Sequence, residues 1–156
     1  MKATFAAGCF WSVEYEFSQL PGIISMQAGY IDGDEKNYPK PTYEQVCSKK
    51  TNYAEAVEVE FDEKKISYEK LLEIFWNLHD PTTLNRQGPD VGTQYRSAIF
   101  YHSSEQKSEA ESSMKKRQAK ISGKIVTQIS QAPTFFRAEE YHQKYAEKHG
   151  GPTCHM

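Results

Sequence analysis

The first hydrophobic block, Lys2–Ala7, runs into Gly8 and predicts a strand. Beyond it, apolar or aromatic residues fall at Phe10, Trp11, Val13, Tyr15, Phe17 and Leu20, with Glu14 and Glu16 between them. That spacing predicts a helix, closed by Pro21-Gly22. Residues 23–31 read as a second strand, and 32–42, with Gly33, Asn37, Pro39 and Pro41, as a loop. From Ala54 to Phe61 polarity alternates as in a half-buried strand, setting Glu55, Val57 and Val59 opposite Ala56, Glu58 and Glu60. Ser67 is placed to cap a helix whose apolar face holds Leu71, Leu72, Ile74, Phe75 and Leu78, and His79-Asp80-Pro81 ends it. A polar segment over 82–93 reads as a long loop, of the kind that more often serves function than mere connection. A strand over 95–101, a polar helix over 104–121, a strand over 125–129 and a helix over 138–148 complete the pattern. Interleaved helices and strands of this kind predict an α+β fold. Its expected form is a two-layer sandwich with a mixed or antiparallel sheet and helices on one face.

Length adds that one domain, 1–156, is expected, with 149–156 as a flexible tail built on Gly150-Gly151-Pro152. A 13% aromatic share supplies core volume and hints at an apolar pocket edged with hydroxyls. The net charge of -2, with signs mixed, gives no electrostatic case for nucleic acid or anionic lipid. Lys115-Lys116-Arg117, the longest basic cluster, reads as a solvated helix face. The short stretch Met1–Ala7 is too brief for a signal peptide and no segment approaches a membrane span, so a cytoplasmic setting is expected.

Three cysteines, Cys9, Cys47 and Cys154, do not make a secreted disulfide framework. Metal binding is disfavoured, because no two cysteines have C-x-x-C spacing and the five histidines form no ligand pair with them. Cys9 lies between a predicted strand and a predicted helix, where unpaired backbone N–H groups favour thiolate over thiol. Read alone, it is also a small buried cysteine at a strand end. Cys154, after Gly-Gly-Pro, is either an accidental thiol on a frayed end or an arm able to close a disulfide. Cys47 reads mainly as a packing residue, with an auxiliary redox role as the alternative. Glu55 shares its strand face with Val57 and Val59; burial there raises the pKa of a carboxyl and keeps it protonated, ready to donate to an oxygen. Tyr43, Asp90 and Tyr95 lie in loops or at loop–strand junctions.

Gly8-Cys9-Phe10-Trp11 with Glu14 resembles the signature of the A-type peptide methionine sulfoxide reductases. The resemblance continues through Pro41-Thr42-Tyr43-Glu44-Gln45-Val46-Cys47, Ala54-Glu55-Ala56-Val57, Phe75-Trp76, His79-Asp80-Pro81 and Arg86-Gln87-Gly88. It closes with Asp90, Gly92-Thr93-Gln94-Tyr95-Arg96-Ser97 and Cys154, and so spans essentially the whole chain. It implies that Cys9 attacks the sulfoxide sulfur and that Phe10 and Trp11 receive the substrate methyl group. It also implies that Tyr43, Glu55 and Tyr95 hydrogen-bond the sulfoxide oxygen, Glu55 giving its proton, while Asp90 helps hold the site. Cys154 would then close a disulfide with Cys9, and thioredoxin would reduce it. The implied substrate is the S epimer, free or in proteins, with no cofactor, and the fold expected for it has a ferredoxin-like core. Many relatives read Thr-Gly-His-Ala-Glu before the acid, where this chain has Thr51-Asn52-Tyr53-Ala54-Glu55. Two other readings stand beside this one: a thiol peroxidase, which needs no methyl pocket, and a module that binds oxidised methionine without turning it over.

Overall fold

Residues 1–148 are described in the computed structural model; Cys154 and the expected tail lie outside them. The chain runs β1 (Lys2–Ala7), α1 (Phe10–Ser18), β2 (Ile23–Ile31), α2 (Tyr43–Cys47), β3 (Ala54–Phe61) and α3 (Tyr68–Asn77). It continues with β4 (Arg86–Gln87), β5 (Asp90–Val91), β6 (Ser97–Tyr101), α4 (Ser104–Gln118), β7 (Gln128–Gln131), β8 (Phe135–Arg137) and α5 (Tyr145–Lys148). Single 3-10 turns cover Thr93–Tyr95 and Glu140–His142.

One six-stranded sheet has the order β7-β6-β1-β3-β2-β8, while β4 and β5 pair as a small separate hairpin. Neighbours in the large sheet are antiparallel except β6 and β7, which are parallel. The α+β class and the mixed sheet are therefore as expected. Alternation decides what each strand buries: Ala3, Phe5 and Ala7 of β1 and Val57, Val59 and Phe61 of β3 join Phe10, Val13, Phe17, Leu71, Leu72 and Phe75 of the helices in one core. Phe5 lies at its centre, stacked on Phe17 at 5.3 Å and on Phe75 at 5.3 Å between ring centroids. The opposite face is thinner, with Ala6, Ile31, Ala54, Ala56, Ala98 and Phe100.

Local signals explain most boundaries. The Ser67 hydroxyl accepts the Lys70 amide at 3.1 Å, which caps α3 as its sequence predicts. Ser103 does the same for α4 at 3.2 Å. Few α4 side chains are buried, yet Gln106 fixes its start, donating to the Lys2 carbonyl at 2.8 Å and accepting the His102 amide at 2.9 Å.

Several expectations are corrected. The helix expected over 138–148 is a 3-10 turn followed by a single helical turn. Its residues bond elsewhere: the Gln143 side chain pairs with both backbone groups of Ala28 at 2.9 Å, extending the sheet edge past β8. Lys144, at φ 54, interrupts any helix there. The strand expected over 125–129 begins three residues later, because the Ile125 amide is bound by the Gln118 side chain and the Val126 amide by the Pro81 carbonyl. Tyr95 belongs to a 3-10 turn rather than to the following strand, α1 ends at Ser18 and α4 at Gln118. The expected loop over 82–93 carries the β4–β5 hairpin, and α2 and β8 were not foreseen. No helix among the described residues is long and apolar enough to cross a membrane.

Gly29, on β2 beside β8, leaves no room for a side chain: a Cβ would sit 2.4 Å from both the Phe135 ring and the Phe136 carbonyl oxygen. Gly29→Ala should therefore displace β8 and the segment after it, costing about 1–3 kcal/mol in urea unfolding. Unchanged stability would show that β8 packs loosely.

Candidate active site

The large sheet gathers the site at one end. There β1 stops at Ala7, β6 begins beside it in the pair Ala7–Ser97, and β3 begins against the end of β2 in the pairs Glu55–Tyr30 and Ala54–Ile31. Gly8, at φ 92, turns the chain sharply out of β1 in a conformation glycine adopts without strain. Cys9 follows at the N-cap of α1, only 7% exposed. The N-terminus of α1 directs its partial positive charge at this position.

Glu55 is 1% exposed, on the helix-side face of β3 that its alternation predicted. Its Oε1 accepts the Phe10 amide of the first turn of α1 at 3.2 Å. Burial drives its pKa up from an ordinary 4.5 to about 8, and the nearby Asp90 charge pushes in the same direction against the amide hydrogen bond. Around neutrality the carboxyl is mostly protonated. Asp90 comes from the β4–β5 hairpin and Tyr95 from the turn before β6. Burial and the Glu55 charge raise the phenols of Tyr43 and Tyr95 above their ordinary 10, so both stay neutral donors.

Tyr43 is the first residue of α2, whose capping box joins Thr42 and Gln45. Its ring meets Phe10 at 6.4 Å and Trp11 at 6.2 Å. The structure thus brings Cys9, Phe10, Trp11, Tyr43, Glu55, Asp90 and Tyr95 to one end of the sheet. Cys154 lies outside the described residues. Cys47 carries a free, half-buried thiol; burial pushes its pKa upward, against a smaller opposing effect of the neighbouring Tyr43 hydroxyl.

Two residues that sequence reasoning passed over complete the wall. His142 is fully buried, its ring tilted against those of Tyr43 at 4.3 Å and Phe10 at 5.1 Å, and its Nδ1 accepts the Trp11 indole N–H at 3.0 Å. Burial lowers its pKa and holds it neutral, with its proton on Nε2. Glu139 accepts the Tyr43 amide at 3.0 Å and the Tyr30 hydroxyl at 2.8 Å. No local motif marks either residue, since both act through partners about a hundred positions away. Tyr145 stacks on Trp11 with centroids 3.8 Å apart. Among the described residues no group of three His, Cys, Asp or Glu side chains could hold a metal ion. The cleft between α3 and α4, lined by Glu69, Glu73, Trp76, Ser113 and Lys116, carries no cysteine.

A cysteine at a helix start, next to an amide bound by a buried, neutral acid, is the equipment of a thiol oxidoreductase. The chain matches the family model of peptide methionine sulfoxide reductase over residues 1–156, and it belongs to that family, in its A type. A relative from Geobacter sulfurreducens, named peptide methionine sulfoxide reductase MsrA, is 55% identical over 155 residues, covering 98% of this chain and 94% of its own. The namesake from Methanothermobacter thermautotrophicus is 52% identical, covering 99% and 91%. Among solved structures, reduced Mxr1 from Saccharomyces cerevisiae superposes with a TM-score of 0.93 at 39% identity, over 99% of this chain and 88% of that one. The same yeast protein in complex with Trx2 gives a TM-score of 0.66 at 28% identity, over 94% and 84%. The chain is accordingly an oxidoreductase that reduces methionine sulfoxide.

Because folding raises Glu55 from 4.5 to about 8, the folded protein keeps a proton that the unfolded chain releases between those values. Stability therefore falls as pH rises through that window, by at most about 1.4 kcal/mol per unit. Glu55→Gln removes this titration, so its stability relative to the parent should grow between about pH 5 and pH 8 in urea melts. A constant difference would mean that the carboxyl is not buried. His142→Leu, which deletes the acceptor of the Trp11 indole, should raise KM for methionine sulfoxide about fivefold, with a wild-type KM counting against its role.

Proposed function

We propose that the enzyme reduces methionine S-sulfoxide, free or in peptides and proteins, through a sulfenic acid on Cys9 that Cys154 resolves. The observation that carries this reading is Glu55, a carboxyl made neutral by burial and held by the amide next to Cys9. Its proton is what a sulfoxide oxygen needs in order to leave.

The substrate methyl group packs on Trp11 and Phe10, aromatic surfaces suited to a soft, polarizable thioether. The hydroxyls of Tyr43 and Tyr95 and the carboxyl of Glu55 donate to the sulfoxide oxygen, and Asp90 helps hold the site. The Cys9 sulfur attacks the sulfoxide sulfur and Glu55 protonates the oxygen. Cleavage of the sulfur–sulfur bond, with the oxygen passing to Cys9, leaves methionine and a Cys9 sulfenic acid. The Cys154 thiol then attacks the Cys9 sulfur, closing a disulfide and releasing water. The dithiol of thioredoxin reduces that disulfide, a partner supported by the Trx2 complex of the yeast relative. A reducing, cytoplasmic setting fits a chain with three cysteines and a dithiol reductant. We read the central strands β6-β1-β3-β2, in that order and antiparallel, as a ferredoxin-like core, and the whole chain as one catalytic domain.

Cys9→Ser should abolish reduction of a methionine S-sulfoxide, whereas Cys154→Ser should release one equivalent of methionine and then stall with thioredoxin as reductant. Thiol counting and mass mapping after substrate is added without reductant should find a Cys9–Cys154 bond. Full turnover in Cys9→Ser would refute the reading. Activity should also decline as pH rises through about 8, where Glu55 loses its proton. Peroxide reduction faster than sulfoxide reduction would instead indicate a peroxidase.

A further inference from the structure

Arg96 follows Tyr95 in sequence, and its side chain is only 11% exposed and paired with Asp32. Its guanidinium meets three stretches of backbone. Nη1 donates to the Asn52 carbonyl at 3.0 Å and the Thr93 carbonyl at 2.9 Å. Nη2 donates to the Asp32 carbonyl at 2.9 Å and to Asp32 Oδ2 at 3.1 Å. Nε reaches Gln128 Oε1 at 3.3 Å, and the Gln128 amide in turn donates to Asp32 Oδ2 at 2.7 Å.

The positions of those acceptors matter. Asp32 is the first residue after β2 and Asn52 lies two residues before β3, so they are the two feet of the long excursion that carries Tyr43. Both feet are in the left-handed region, Asp32 at φ 61 and Asn52 at φ 59, a conformation that Asp and Asn adopt more readily than other residues with a side chain. Three residues after Asn52 comes Glu55; two after Thr93 comes Tyr95. One planar fork therefore closes the base of the Tyr43 excursion and fixes the approach to Glu55 and to Tyr95. A lysine, with one compact ammonium on a flexible stem, does not span the same acceptors.

We infer that Arg96 is a positioning residue that sets the relative places of Tyr43, Glu55 and Tyr95 by clamping the carbonyls of Asp32, Asn52 and Thr93. This rests on the proposed reading that those three groups bind the sulfoxide oxygen. Loosening the clamp leaves every reacting group present but scatters its donors, and displacements of about 1 Å at such groups cost up to roughly 100-fold in rate.

The test uses the full chain with N-acetyl-methionine S-sulfoxide and dithiothreitol, so that thioredoxin docking is not involved. Active sites are counted by the methionine released in a single turnover without reductant. Arg96→Lys should show a raised KM and a kcat/KM per counted site at least about tenfold below the parent. A merely structural arginine would lower the number of active sites and leave KM and the rate per site unchanged, which would overturn the inference. Should Arg96→Lys not fold, Gln128→Leu carries the test: loss of the Nε contact and of the Asp32 brace should raise KM about fivefold, and a parental KM there would overturn it too. Asn52→Gly, which keeps the carbonyl and the left-handed conformation, should retain the parental KM. If the parent itself releases no methionine, the proposed reaction fails rather than the clamp.

Discussion

A carboxyl group taken out of water at the start of β3 and held by an amide of α1 is the constraint on which the site depends. Burying a carboxylate is costly enough that the group keeps its proton instead. That protonated state requires a lid over Glu55, and the lid is the first turn of α1 with the Phe10 ring wholly buried. The sharp turn at Gly8 puts that helix start over the sheet end, so the same turn that covers the acid also presents Cys9 beside it. Acid and sulfur are thus two consequences of one chain reversal.

The wall opposite is made by residues that follow β8. Glu139, His142 and Gln143 bond respectively to the α2 amide and Tyr30, to the Trp11 indole, and to the backbone of Ala28. An amphipathic helix over this stretch would satisfy its own backbone. Instead its side chains satisfy the backbone and polar groups of other elements, which ties Tyr43 and Trp11 to the sheet edge. The gain for the site is rotational order in two aromatic side chains that would otherwise move independently.

Asn52 and Tyr53, just before the acid's strand, have physical roles that suit this neighbourhood. Asn52 tolerates the left-handed turn. Tyr53 is fully buried, donates its hydroxyl to the Tyr38 carbonyl at 2.8 Å and meets Phe136 edge-on. Its ring also fills the space that a side chain at residue 33 would need, since a Cβ on Gly33 would come within 2.3 Å of it. The approach to Glu55 is therefore held by the packing of Tyr53 against Phe136, Gly33 and the Tyr38 carbonyl.

By itself the sequence determined the elements with strong local periodicity: β1, α1, β2, β3 and α3, and the face of β3 on which Glu55 lies. Those features follow from alternation, helical spacing and caps that neighbours a few positions apart impose. The pattern Gly8-Cys9-Phe10-Trp11, with its companions along the chain, was enough to point to the family. What only the tertiary structure decided lies in short or irregular pieces: α2, β8, the hairpin that carries Asp90, and the broken segment over 138–148. Their conformation is set by partners far along the chain, such as Gln143 with Ala28 and Arg96 with Asp32 and Asn52. No local window holds that information. The degree to which Glu55 is deprived of water belongs to the same category, because burial is a property of everything packed around a side chain rather than of its place in the sequence.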